Sequence, residues 1–292
     1  MASYRLLIGD PSYSSWSLRG WLAFKAFGIP VKVETTRFYQ PEFRSDLEAF
    51  ADNPPVALKT VPVVAAEDGS YFTDSIALVE ELHSRHPEAG LLPSDPSQRA
   101  LARNLIAEMH SSFTSLRTQC PMNTRLAYTD MPVSDALQAD LDRLESLWAV
   151  RKDKTSWLCG AYSAADAFYA PVAARLAGYG LPISTNMQSY VDMHLAHLPF
   201  RQFRALGLTH APQSYYDKPY SQTDWPGPAP RYATPTERTD SVNSLCPYSG
   251  QPVAHFLEMA GKIYGFCNAA CRDKTCIDPE AWPAFMALTN AD

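Results

Sequence analysis

The chain has 292 residues, with 25 lysines and arginines against 31 aspartates and glutamates, a net charge of −6. That acidic balance excludes nucleic acid as the main partner, because phosphate binding needs a basic surface, and a hydrophobic content of 46% excludes disorder of the whole chain. No apolar run is long enough to span a bilayer and no basic-then-apolar export signal opens the chain, so a cytoplasmic protein with no membrane partner, built as two domains and an appendage, is expected.

Tyr4 to Ile8 reads as a strand, and Leu18 to Phe27 as a helix closed by Gly28 and Pro30. Between them, Gly9 to Arg19 carries Ser12, Ser14, Ser15 and Ser17 where a helix N-terminus exposes unpaired N–H groups and the positive end of its dipole. Such a point can hold an anion, and a serine hydroxyl there can hydrogen-bond a thiolate; helix capping is the other role open to these serines. Val31 to Thr36 reads as a second strand, followed by an irregular polar segment with helical content. Lys59 to Val64 is a strand entered through Pro62, which has no N–H for the ladder. A cis Val61–Pro62 bond would aim the Val61 backbone outward, where an extended peptide could pair with it. A turn at Glu67-Asp68-Gly69 leads to Tyr71-Phe72-Thr73, and Asp74-Ser75 opens a helix from Ile76 to Ser84. This second N-terminus suits a ligand with an ammonium, for Asp74, and a carboxylate, for the Ser75 hydroxyl and N–H; an N-cap alone is the alternative.

Strand, serine-bearing turn, helix, Val-Pro strand and Asp-Ser helix start, in that order, resemble the glutathione-binding domain of the glutathione transferase family. The resemblance implies a thioredoxin-like α/β domain, β-α-β-α-β-β-α, over residues 1–85, with glutathione as co-substrate. It implies that Val61 and Pro62 hold the cysteinyl backbone of glutathione and that Asp74 and Ser75 hold its γ-glutamyl end. Ser14-Ser15 followed by Ser17 and Arg19 is similar to the serine-type classes, including zeta. Ser14 is therefore the expected activator of the thiolate, with Ser15 and Ser17 in reserve and a tyrosine at Tyr4 or Tyr13 as the other variant. Zeta-like members carry a cysteine where this chain has Trp16. A free thiol of pKa about 8.5 is only about 3% thiolate at pH 7. Lowering it by about two units takes roughly 2.7 kcal/mol, within reach of one hydroxyl donor at a helix N-terminus.

Asp95 reads as an N-cap and Pro96 as the first residue of a long helix, whose inner face runs through Leu101, Leu105, Met109 and Ser112 toward Pro121. Glu108 to Phe113, with Arg117, Pro121, Met122 and Asn123, resembles a stretch of bacterial serine-type glutathione transferases in which this helix borders the electrophile pocket. His110, Arg117, Asn123 and Arg175 are accordingly the candidate substrate residues. His110 and Arg117 lie two turns apart and share a face of one continuous helix, and Arg117 and Arg175 suit a carboxylate. Ser134 caps a helix with Leu137, Leu141, Leu144 and Trp148 on its inner face, and Ser163 with Asp166 forms a capping box before an apolar helix from Ala167 to Leu176. Residues 92–208 are thus expected to form an all-α domain, and the family resemblance implies a homodimer.

Residues 209–242 form a Pro-rich linker whose Tyr215, Tyr216, Tyr220 and Trp225 are expected to lie against the body. In residues 243–292, Cys246, Cys267 and Cys271 have the spacing Cys-x20-Cys-x3-Cys. A module this small has little core, so a metal staple is natural, and Cys267 and Cys271 face one side of a helix. The spacing resembles TRASH/YHS-like treble-clef modules, small α+β units associated with zinc or other soft metals. Ser249 stands where many of these have another cysteine, leaving Cys276 or His255 as a fourth ligand, or a metal-free module whose cysteines are small buried hydrophobes. Three functions follow as expectations: a glutathione transferase acting on a small electrophile, a non-catalytic scaffold binding or sensing a soft metal, and a glutathione-dependent isomerase of a small dicarboxylate.

Overall fold

A computed structural model describes residues 4–289 apart from 52, 53 and 55, so the outermost three residues expected in the first domain and in the tail lie outside it. The chain opens with β1 (Tyr4–Ile8), α1 (Ser15–Lys25), β2 (Lys32–Thr35), α2 (Glu42–Phe50), β3 (Val63–Ala66), β4 (Tyr71–Phe72) and α3 (Ser75–Arg85). The sheet order is β2-β1-β3-β4, with β1 parallel to β2 and β3 antiparallel to both its neighbours. This is the thioredoxin-like domain. Apart from Arg5, whose guanidinium pairs with Glu34, β1 is apolar, because both its faces are covered. Leu6 and Ile8 join the main core, while Leu7 packs with Leu47, Phe50 and Val63.

The first helix begins at Ser15, three residues before its apolar pattern, because Ser14 caps it by accepting the Ser17 N–H at 3.2 Å. Gly20 lets this helix close on the start of β3: a Cβ there would stand 2.9 Å from Pro62. The Val61–Pro62 bond is cis.

The helical domain follows as α4 (Pro96–Ser111), α5 (Thr114–Gln119), a short β5 (Ala127–Tyr128), α6 (Asp135–Trp148), α7 (Ala164–Gly178), α8 (Thr185–Ala196) and α9 (Leu198–Thr209). α7 is buried on nearly every face. Its first turn is fixed by Asp166, whose wholly buried carboxylate accepts from the N–H groups of Leu158 and Ser163 and the hydroxyls of Ser163 and Tyr190. The expected continuous helix toward Pro121 is instead two. Ser112 turns extended and Phe113 adopts φ 61°, ψ 42°, so α5 sets off in a new direction. The buried Phe113 ring offsets that left-handed backbone. His110 and Arg117 therefore do not share a face of one helix.

Beyond α9 the proline-rich segment is tied down at intervals. β6 (Gln222–Thr223) pairs with β5, and the Arg204 guanidinium sits 4.7 Å over the Trp225 ring. β7 (Thr234–Thr236) then joins β8 (His255–Met259) and β9 (Lys262–Phe266) in an antiparallel sheet backed by α10 (Ala269–Ile277) and α11 (Pro283–Thr289). This tail has its own core of Leu257, Phe266, Trp282 and Phe285. It is fastened to α9 by a bidentate Arg201–Asp278 pair at 2.7 and 2.9 Å and by Gln202 donating to the Ala281 carbonyl. Among the described residues no helix is long and apolar enough to cross a membrane.

Candidate active site

Two clefts meet at the N-terminus of α1. One, of about 340 Å³, runs along Lys59, Thr60, Val61, Pro62, Thr73 and Asp74. The other, of about 660 Å³, opens between the two domains beside Tyr13, Ser15, Tyr39, Arg117, Arg175 and Tyr216. Ser14 borders both, as do Trp16, Phe38 and Phe43, and is the one hydroxyl common to the two.

The three serines of the motif have different settings. Ser14 Oγ donates to Ser17 Oγ at 2.7 Å. Ser15 Oγ accepts from Arg175 at 2.8 Å, which leaves its own proton to donate elsewhere. Ser17 is fully buried and its Oγ accepts the Gly9 N–H at 2.9 Å. It lies outside both clefts and ties β1 to α1, a correction to its expected place as a reserve thiol activator. Of the two tyrosine alternatives, Tyr4 borders neither cleft, while Tyr13 borders the larger one. Tyr4 Oη is 2.9 Å from His86 Nε2, and Tyr13 Oη accepts the Gln213 N–H at 2.8 Å.

In the smaller cleft, one oxygen of Asp74 caps α3, accepting from Ile76 N–H at 2.7 Å and Ala77 N–H at 3.4 Å, while the other is 3.5 Å from His110 Nε2. Ser75 is buried, and its hydroxyl has no partner among the described residues. His110 thus faces the Asp74 end and borders neither cleft, against the expectation that it lines the electrophile pocket. Asn123 departs from expectation too. It is buried, accepts the Arg125 N–H and reaches toward Asp217, so its amide serves packing.

Arg117 and Arg175 do border the larger cleft. The Arg117 guanidinium lies 4.8 Å over the Trp16 ring and donates to the His110 and Ser112 carbonyls, which the break between α4 and α5 has freed. Arg175 donates to the Cys120 and Pro171 carbonyls as well as to Ser15, and burial with the neighbouring Arg117 pushes it down to about 10. Arg19, in the motif but not singled out from sequence, is 2% exposed, lies 4.7 Å over Phe168 and has two guanidinium nitrogens without partners. Burial, then Arg175 and Arg117, push it down to about 9. Among the described residues none of the three arginines has a carboxylate within ion-pair distance.

Tyr216 is a cleft residue contributed from beyond the helical domain. Its ring stacks on Tyr13, centroids 4.8 Å apart and planes 14° apart. The segment is held there by Gln213 donating to Asp10 and by Arg37 donating to the Ala211 carbonyl. The run of tyrosines after α9 was the only sequence signal for this, and it pointed to packing rather than to a site.

In the tail, the sulfurs of Cys246, Cys267 and Cys271 lie within 4.8 Å of one another. Burial pushes the Cys246 thiol up, but N–H groups of Cys267, Tyr248 and Ser249 and the Ser249 hydroxyl bring it down to about 7. Ser249 Oγ also donates to Cys267 Sγ at 3.2 Å. Neither Cys276 nor His255 joins the cluster, and the described cysteines are all free thiols.

The architecture is that of the glutathione transferases, a thioredoxin-like domain followed by a helical one. Residues 13–85 match the family described as glutathione S-transferase, N-terminal domain. A stretch of 92 residues is 36% identical to a probable maleylacetoacetate isomerase of Caenorhabditis elegans, covering 32% of this chain and 39% of that protein. The chain thus matches about two fifths of the length of that curated relative. Among solved structures, a glutathione transferase homologue from Burkholderia gl BGR1, with bound glutathione, superposes with a TM-score of 0.54 at 21% identity, covering 71% of this chain and 99% of that one. Glutathione transferase Omega 3C from Trametes versicolor gives a TM-score of 0.53 at 18% identity, covering 74% and 92%. At these identities the likeness is one of fold.

Proposed function

We propose that the protein is a serine-type glutathione transferase. Glutathione lies along Val61 and Pro62 with its γ-glutamyl ammonium at Asp74, and its sulfur sits at Ser14. The Ser14 hydroxyl and the N-terminal end of α1 favour the thiolate over the thiol. The thiolate attacks an electrophile held in the larger cleft: a sulfur–carbon bond forms, and the leaving group departs with its electron pair. The observation that carries this is the position of Ser14, a helix-cap hydroxyl bordering a peptide-sized groove on one side and an interdomain cleft on the other. Calorimetric titration with glutathione and conjugation to a generic aryl halide test it. Binding with turnover supports it; no affinity for glutathione overturns it. The family resemblance adds a homodimer, which sedimentation velocity checks.

Isomerisation of a small dicarboxylate is the second possibility. It is supported by the arginines beside Trp16 and by the similarity of one stretch to a probable maleylacetoacetate isomerase. Trp16 stands where the zeta-like pattern has cysteine, which weighs against it.

For the tail we propose a structural soft-metal site, zinc being the leading candidate, on Cys246, Cys267 and Cys271. The convergence of three sulfurs and the donors gathered on Cys246 support it, since such donors favour a ligating thiolate. One equivalent of metal per purified chain, lost in Cys271→Ser, is expected; a metal-free chain of unchanged stability overturns it.

A further inference from the structure

The larger cleft combines two kinds of recognition. Tyr216 stacks on Tyr13, and Tyr39, 69% exposed, lies 6.5 Å from Tyr216 between ring centroids. These rings offer flat apolar surface. Arg117 and Arg175 border the same cleft with Trp16, and a smaller cavity of about 330 Å³ adjoins it at the same three side chains with Thr114 and Thr118. With Arg19 beside them, three guanidinium groups are gathered without a carboxylate within ion-pair distance among the described residues. Arg19 is nine-tenths buried and carries two unpartnered nitrogens. Asp74 offsets the buried Arg19 charge only in part, and an anion beside Arg117 and Arg175, the two that border the cleft, relieves the remaining repulsion among the three.

We propose that the second substrate is a flat aryl electrophile carrying a carboxylate or similar anion, its ring against Tyr216 and Tyr39 and its charge toward Arg117 and Arg175. This rests on the glutathione reading above and names its substrate class. Stacked and edge contacts with tyrosine reward a ring and give nothing to a short aliphatic chain, while a planar guanidinium rewards a carboxylate over a neutral group. Tyr216 is then a specificity-determining residue lying outside both domains, in a segment that Gln213, Arg37 and the β5–β6 pairing hold in place.

The reaction used for the test is displacement of chloride by glutathione. The sulfur bonds to the chlorine-bearing ring carbon, chloride leaves with the bonding pair, and the thiol proton passes to water. Para-chlorodinitrobenzoate and neutral chlorodinitrobenzene are compared on the wild-type protein, each kcat/KM divided by its uncatalysed rate. The carboxylate is expected to be favoured at least about tenfold, the size of one charge-assisted contact. Arg117→Gln is expected to abolish the preference, and Tyr216→Ser to weaken both substrates about tenfold, mainly in KM. A second arm omits glutathione and compares the affinities of para-nitrobenzoate, para-nitrobenzamide and succinate by calorimetry. Equal binding of benzoate and benzamide, or tighter binding of succinate, overturns the proposal. Preference for benzoate without conjugation keeps the recognition of ring and anion by this cleft but removes the transferase reading and with it the role of substrate; conjugation without any preference for the anion keeps the transferase reading and overturns the proposal.

Discussion

Replacing Ser14 by alanine separates two roles of a single hydroxyl. As the cap of α1 it accepts the Ser17 N–H at 3.2 Å, and loss of such a cap costs about 1 kcal/mol, visible as a small fall in the urea midpoint. As donor to a bound thiolate it contributes one charge-assisted hydrogen bond, about 1.5–3 kcal/mol, so its removal raises the pKa of bound glutathione by roughly one to two units. For a thiol lowered to about 6.5, the thiolate fraction near that pH falls from about half to about 1–10%, and kcat/KM falls roughly 5–50-fold. The deficit closes above about pH 9, where the free thiol ionises unaided. Ultraviolet difference titration of the enzyme–glutathione complex, with a pH profile of kcat/KM, measures both quantities. In the free protein Ser14 donates to Ser17 Oγ, so the hydroxyl must turn to meet the sulfur. Ser15 is the competing donor because Arg175 already occupies it as an acceptor. An unchanged profile in Ser14→Ala with a shifted one in Ser15→Ala would refute the assignment and move the sulfur deeper into the larger cleft.

Three further outcomes are expected. Asp74→Asn keeps an oxygen for the Ile76 and Ala77 N–H groups but loses the charge, so KM for glutathione should rise about tenfold with little change in melting temperature; unchanged KM removes Asp74 from the site. His194 is fully buried between Trp157 and Tyr190 with both ring nitrogens unpartnered, and burial holds it well below its ordinary range. The unfolded imidazole takes its proton near pH 6.5, so this contribution is complete above that pH and is lost at about 1.4 kcal/mol per unit as pH falls below it. His197, pushed down to about 4 by burial, acts in the same direction. Urea titrations at pH 7 and pH 5 should show a smaller loss in His194→Phe than in the wild type, and equal losses would contradict the sign. Finally, chelator treatment of the metal-loaded chain should release three more thiols to Ellman's reagent, those of Cys246, Cys267 and Cys271, and identical counts would argue against ligation.

Local rules carry most of the N-terminal domain, α2 (Glu42–Phe50) excepted, whose stretch reads only as an irregular polar segment with helical content. The apolar β1, the serine turn, the Pro-led strand and the Asp-capped α3 are all set by neighbours in sequence, and Asp166 is read correctly from its capping box alone. What local rules miss depends on tertiary position. Ser14, Ser15 and Ser17 are equivalent as text, and only the packing of Gly9 against Ser17 and of Arg175 against Ser15 tells them apart. The turn at Phe113 carries no glycine or proline to mark it, since a buried ring rather than a permissive backbone sustains its positive φ. Arg19 looks like an ordinary basic residue on an amphipathic helix until three arginines converge from α1, α5 and α7. The Asn123 amide is likewise claimed by Arg125, a neighbour whose pull no motif records.

The passage of residues 211–217 across the interdomain cleft bears on how substrates can be inferred. One wall of the larger cleft is thus built by Tyr216, from a segment that follows the helical domain. Shortening the chain after α9 would strip Tyr13 of its stacked partner and leave Asp10 without the Gln213 amide. Such a trimmed protein would keep the groove along Val61 and Asp74 and lose one wall of the larger cleft.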